Sequence, residues 1–129
     1  MQTAAPSLPP CRVRRVTEYI EQNLDKELKL GELAALVHMS PYHFARLFKC
    51  STGLPPHRFV VRRRIARASA FLATPEISIS QIARLVGFRT ASHFTTVFRR
   101  VRGVTPRGHR TGCLREERPR GDGGPYELR

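Results

Sequence analysis

One pattern is written twice in this chain. SPYHFARLFK at 40–49 returns in altered form as TASHFTTVFRR at 90–100. Phe44, Phe48, Gly53 and Pro56 align with Phe94, Phe98, Gly103 and Pro106, each displaced by 50 positions. Upstream, LGELAALV (30–37) aligns with ISQIARLV (79–86) at a displacement of 49, so the second copy holds one inserted residue between Val86 and Thr90. The apolar positions agree and the polar ones differ. What is duplicated is therefore a scaffold, on which each copy presents its own chemistry. With 129 residues, the chain can form one ordinary domain or two small ones sharing an element.

The periodicity within each copy is helical. Val13, Val16, Ile20 and Leu24 step by 3, 4 and 4, which places them on one face of a helix. A short second helix carries Leu33, Ala34, Leu36 and Val37. Ser40-Pro41 is an N-cap followed by proline at the first helical position, opening a helix that buries Phe44, Leu47 and Phe48 and ends at Gly53. Pro55-Pro56 opens a long helix with Val61, Ile65, Ala68 and Leu72 on one side, stopped by Thr74-Pro75; over 56–73 it would be about 27 Å long. In the second copy Ser78 and Gln81 form a capping box, Gly87 supplies a turn, and Thr90 caps a helix burying Phe94, Val97, Phe98 and Val101. Thr105-Pro106 starts a last short turn. No stretch alternates with period two, so the expected fold is all-α with about seven helices. The expected organisation is a disordered start over 1–10, a first subdomain over 11–54, a linker helix over 55–74, a second subdomain over 75–110 and a disordered tail over 111–129.

Charge is distributed to match. The chain carries 23 Lys and Arg against 10 Asp and Glu, a formal +13. Residues 1–39 are neutral, with five groups of each sign, whereas 40–106 hold twelve basic residues and a single acid, Glu76. The surplus sits on the two copies rather than on a tail, and such a field attracts a polyanion, nucleic acid before an acidic membrane surface. No run approaches the roughly 18 apolar residues of a membrane span. The start, MQTAAPSLPP, has neither the basic region nor the apolar core of a signal peptide. Three scattered cysteines, Cys11, Cys50 and Cys113, fit reduced thiols, and a cytoplasmic location is expected.

A short helix, a tight turn and a second, capped helix form the helix-turn-helix unit, whose second helix enters the major groove of DNA. A single such unit reads first as a plain helical hairpin; two in register, both followed by Gly and Pro and both in the basic segment, favour the DNA-binding unit instead. The segments LKLGELAALVHMSPYHFARLFKCSTGLPP, RRRIARASAFL and ISISQIARLVGFRTASHFTTVFRRVRGVTP closely resemble the AraC/XylS transcription regulators over about residues 13–110. The most specific part is GF-x-x-x-SHF-x-x-x-F-x-x-x-x-G-V-TP. The resemblance implies a bacterial, sequence-specific DNA-binding domain with two helix-turn-helix units, here of the stand-alone MarA and SoxS type or an excised C-terminal domain. It also implies RNA polymerase as an added partner of activators. Two departures from the family pattern stand in the first unit. His38 occupies the turn position held by Gly87 in the second, and Lys29 stands where Ser78 caps. A non-glycine at positive φ is strained, and a lost cap costs about 1 kcal/mol, so the first unit is expected to be the weaker by itself.

The recognition helices are expected at about 41–51 and 91–102, on double-stranded DNA, in successive major grooves. Base-reading candidates are Tyr42, Ala45 and Arg46 on the first, and Ala91, Ser92, Thr95 and Thr96 on the second. Arg46 is the sharpest, because a guanidinium can donate two parallel bonds to guanine O6 and N7, a pair worth about 1–3 kcal/mol of discrimination. Tyr42 can stack on a base or lie over the helix pair, and Ala45 offers only a methyl. Family members often carry a longer polar residue at the position of Ala45 and an arginine at that of Thr96. Phosphate candidates are Ser40 and Thr90, where helix N-termini present free amides, together with Lys49, Arg62, His93 and Arg99. Arg64 is expected to be partly structural, with Arg62, Arg63 and Arg67 supplying general attraction. Since the two polar faces differ, the expected site is asymmetric and filled by a monomer.

Catalysis, a metal and a cofactor are not expected: the histidines and cysteines show neither H-E-x-x-H nor C-x-x-C spacing, and no Gly-rich phosphate loop is present. The competing expectation is a protein-interaction module with only non-specific DNA affinity. Membrane binding is weaker still, because the helix over 56–73 carries arginine on several sides and no aromatic apolar face.

Overall fold

The computed structural model describes residues 7–117, with side chains as far as 113. Within them lie seven α-helices and no strand: α1 (Pro10–Gln22), α2 (Leu30–Leu36), α3 (Pro41–Thr52), α4 (Pro56–Leu72), α5 (Ile79–Leu85), α6 (Ala91–Arg102) and α7 (Pro106–Glu117). The all-α expectation holds, and both recognition helices begin and end within a residue of their expected bounds.

Two separate cores follow the two copies. The first joins Val16, Ile20 and Leu24 of the α1 region to Leu33, Ala34, Val37, Phe44 and Phe48. The second joins Ile82, Ala83, Val86 and Phe88 to Phe94, Val97 and Phe98. Helix α4 serves both, giving Val60 to the first and Ile65, Ala68 and Leu72 to the second. Inclined aromatic pairs tighten each core: Phe44 and Phe48 have ring centroids 5.4 Å apart, Phe94 and Phe98 5.6 Å. Such pairs add about 0.5–1.5 kcal/mol beyond their burial.

The copies also match in backbone detail. Helices α3 and α6 both stop at a left-handed glycine, Gly53 (φ 88°) and Gly103 (φ 83°), whose N–H donates to the carbonyl four residues back at 2.7 Å. In the two turns, Met39 N–H donates to Ala34 O (3.1 Å) and Phe88 N–H to Ala83 O (2.8 Å). Met39 and Phe88 are therefore equivalent, and the inserted residue of the second copy is Arg89. His38 does take a positive φ, 59°, against 100° at Gly87.

The capping difference is equally concrete. Ser78 and Gln81 exchange both bonds of a capping box, at 2.9 and 3.0 Å. At the start of α2 only half of the box exists: Lys29 N–H donates to Glu32 Oε1 at 3.4 Å. A lysine side chain has no acceptor, so nothing returns to the Glu32 amide.

Order begins earlier and ends later than expected. Within the span 1–10, expected to be disordered, Leu8 is buried at 4% exposure and its N–H donates to Ser51 Oγ at 2.7 Å; Pro10 already opens α1. Proline suits that first helical position because its missing donor would be unpaired there anyway. The tail, expected to lose order from 111, continues as α7 to Glu117, and residues 1–6 and 118–129 lie outside the described residues. Helix α7 is held by more than its own propensity, since Arg110 donates to Leu72 O at the end of α4 and to Thr74 O and Ile77 O in the link to α5. Of these, Leu72 O is a carbonyl that the helix terminus leaves unpaired.

Three other arginines are structural. Arg63 and Arg67 both bond the Glu21 carboxylate, and Arg67 also donates to Glu21 O at 2.9 Å, tying α4 to α1. This corrects the expectation that both supply general attraction. Arg102 closes its fork on Ser69 Oγ (3.1 and 2.8 Å), which itself donates to Ile65 O.

Candidate nucleic-acid interface

Helices α3 and α6 bury one face each and leave the other open. On α3, Phe44 and Phe48 point into the core while Tyr42, Arg46 and Lys49 are exposed, Tyr42 at 74%. On α6, Phe94, Val97 and Phe98 are buried while Ser92, His93, Thr96 and Arg99 are exposed. Ala45, Ala91 and Thr95, expected to face outward, are half-buried on the flanks. For Ala45 the flank is a cleft between the two units.

Both capped starts have the expected geometry. Ser40 Oγ accepts from His43 N–H (3.3 Å) and Thr90 Oγ1 from His93 N–H (3.0 Å). Thr90 leaves the Ala91 and Ser92 amides ahead of its bond and Ser40 only that of Tyr42, because Pro41 has no N–H; an anion there gains from unpaired donors and the positive end of the helix dipole. The His93 ring meets the edge of Phe88 at 5.5 Å, so it is partly packed while remaining exposed.

Hydrogen-bond supply separates the base-reading candidates. Among the described residues Arg46 has no hydrogen bond or ion pair, and its whole fork is available. Thr96 Oγ1 donates to Ser92 O at 3.2 Å. A hydroxyl has a single proton to give, so in this rotamer Thr96 offers a ligand only acceptor lone pairs and a methyl. The equivalent positions, 46 and 96, thus carry a donor of several bonds and an acceptor. Arg62 is exposed and unpaired, unlike its neighbours Arg63 and Arg67.

The cleft between the units has a volume of about 780 Å³. Its floor is α4, at Val60, Val61 and Arg64; Lys26, Leu28 and Ala45 line one side, Arg84, Phe88 and Arg89 the other, and His57 joins the rim. The acids Asp25 and Glu27 lie on the first side. Arg64 is half-buried. It donates from Nε to Leu24 O (3.0 Å) and from Nη2 to Lys26 O (2.7 Å). Burial pushes its pKa below the ordinary arginine value and the Asp25 carboxylate pulls it partly back, yet an arginine stays charged at any physiological pH.

Arg84, Arg89 and His57 were not singled out from sequence, though two carried a signal. Arg84 replaces Ala35 between otherwise matching helices, and Arg89 is the inserted residue itself. Among the described residues no group of three or more His, Cys, Asp or Glu is placed to hold a metal, and no helix is long and apolar enough to cross a membrane. Cys11 and Cys50 are exposed free thiols, and Cys113 is a half-buried one.

Known proteins share this arrangement. The family profile described as "Helix-turn-helix domain" (HTH_18) matches residues 33–112. The regulatory protein PocR of Salmonella typhimurium is 35% identical over 108 residues, which are 84% of this chain and 36% of PocR. A transcriptional regulator from Chromobacterium violaceum, titled among AraC-type DNA-binding domain-containing proteins, superposes with a TM-score of 0.75 at 28% identity, covering 81% of this chain and 93% of that one. The DNA-binding domain of AdpA, a global transcriptional factor solved with a target DNA, superposes with a TM-score of 0.76 at 29% identity, covering 85% and 98%. The chain spans between about a third and a half of the length of the first curated relatives it matches.

Proposed function

Because this chain belongs to the AraC-type helix-turn-helix family, we propose that it regulates transcription as a monomer, placing α3 and α6 in successive major grooves of one asymmetric DNA site. The observation that carries this is the split within the repeat: buried positions of the two copies coincide, while the exposed ones, apart from the shared His43 and His93 and the like-charged Lys49 and Arg99, do not. Tyr42, Arg46 and Lys49 of α3 stand opposite Ser92, Thr96 and Arg99 of α6. Two copies reading the same bases would have kept the same exposed residues. The likeness to a domain solved on its target DNA supports the same reading.

In this scheme Arg46 reads guanine and Tyr42 supports it, while Ser92 and Thr96 read through hydroxyls. Ala45, Ala91 and Thr95 contribute short apolar contacts from the flanks. The amides above Ser40 and Thr90, with Lys49, Arg62, His93 and Arg99, hold phosphates on either side. Phosphate contacts set register and base contacts set sequence. RNA polymerase is an additional partner for surface left free by DNA, and the bacterial cytoplasm is the setting.

The test is selection of bound sites from a random double-stranded pool at about 150–200 mM salt, where unspecific phosphate attraction is weak. Wild type and Arg46→Ala are run side by side. Two unlike blocks about one helical turn apart are expected, with only one blurred by the substitution. Absence of any enriched block would overturn sequence reading and favour a protein-interaction module.

A further inference from the structure

We propose that Arg64 and Gly87 form a lock that fixes the spacing between the two half-sites, making Arg64 a positioning residue for site specificity; this rests on the two-groove reading above. Each unit packs on its own end of α4, the first through Val60, the second through Ile65, Ala68 and Leu72. Away from that shared helix, the second unit's turn meets the end of α1. A Cβ placed on Gly87 would lie 2.2 Å from Leu24 O, 2.8 Å from Arg64 Nε and 3.0 Å from Arg64 Cζ. The backbone of one unit therefore rests against the backbone of the other, with a guanidinium set beside the contact. The same guanidinium donates to Leu24 O and Lys26 O.

The turn conformation alone does not explain the glycine. The equivalent position of the first unit is filled by His38, also at positive φ but exposed. Gly87 meets a second demand, the close approach of Leu24 O, that His38 does not. Arg64 sits where a planar fork with two fixed donors is needed, since it spans two carbonyls two residues apart in the chain just after α1.

One base pair added to the spacer rotates one half-site about 34° and moves it about 3.4 Å relative to the other. Two units joined only by a helix can follow such a change by bending and twisting that helix. Units also held where Gly87 rests on Leu24 O and the Arg64 side chain cannot follow it without opening that contact, which the two guanidinium bonds hold in place from the side of the first unit. The lock thus turns the geometry of the protein into a rule about DNA spacing, without touching a base.

The experiment uses the full chain and duplexes carrying both blocks selected by the wild type. The blocks stand at the selected spacing or with one base pair added or removed between them. Affinity at each spacing is measured at one salt concentration, and the ratio between spacings is read, because the fraction of active protein cancels. Wild type is expected to lose about tenfold or more per base pair, comparable to a poor base match. Arg64→Gln is expected to reduce that penalty to within about threefold, while Arg63→Gln, which cuts the neighbouring tie to Glu21, keeps the wild-type ratio. If Arg64→Gln fails to fold by circular dichroism, Arg64→Lys, which keeps charge and stem but not the fork, is read instead. A spacing-selective wild type with an equally selective Arg64 variant would overturn the lock alone. A wild type that selects one block, or ignores spacing, would overturn the two-groove reading together with it.

Discussion

Replacing Lys29 by serine should stabilise this protein. Lys29 already has the backbone of an N-cap, φ −90° and ψ 143°, close to that of Ser78 at −71° and 157°. Glu32 already reaches back to the Lys29 N–H, so a serine oxygen would complete the reciprocal box that Ser78 and Gln81 form in the second unit. The amide gained is one a helix start otherwise leaves to water, worth about 1 kcal/mol. Removing a cation from the positive end of α2 adds about 0.3 kcal/mol or more at low salt. In a domain of this size 1 kcal/mol moves the melting midpoint by about 4 °C. The assay is thermal and urea melting by circular dichroism, with Ser78→Lys as the mirror substitution, expected to lose about as much as Lys29→Ser gains. An unchanged or lowered midpoint for Lys29→Ser would refute the reasoning, since it would mean that the amides of α2 already have partners as good as a serine.

Phe98→Ala removes a fully buried ring that touches Phe94 and His109; a loss of about 3–5 kcal/mol is expected in urea melts, and a loss below 1 kcal/mol would contradict the packing. Arg99→Ala should weaken binding to every DNA sequence alike and reduce the slope of log affinity against log salt by about 0.9, the signature of one lost phosphate contact.

The duplicated pattern made the helices legible because burial at period 3.6, caps and glycine stops are local signals, and each appears twice. The positions of Tyr42, Arg46, Ser92 and Thr96 on open faces followed from the same periodicity. The arginines did not sort themselves. Arg63, Arg64, Arg67, Arg102 and Arg110 find their partners 33 to 46 residues away in the chain, so a basic residue that caps a distant helix looks, in sequence, like one that meets phosphate. Leu8 was hidden for a related reason: one leucine among prolines has no periodicity, and only the groove beside Ser51 gives it a place. Helix α7 contains Gly108 and Gly112, poor helix formers, and is held by Arg110 and by its packing on α4 rather than by local preference. Arg89 was visible as an insertion, but only the matched turns showed which residue had been inserted.

The division of α4 between two cores has a consequence for how the molecule comes apart. If the second unit unfolded alone, Ile65, Ala68 and Leu72 would be left on a half-helix in water; if the first did, Val60 and its neighbours would be. Neither half can keep its hydrogen bonds for long without its apolar cover, because an isolated helix of this length is marginal. Amide hydrogens along α4 should therefore exchange at the slow, global rate, whereas those of α2, with its half-made cap, escape sooner through local opening. The shared helix makes two small units, each too modest to be secure by itself, into a single cooperative folding body.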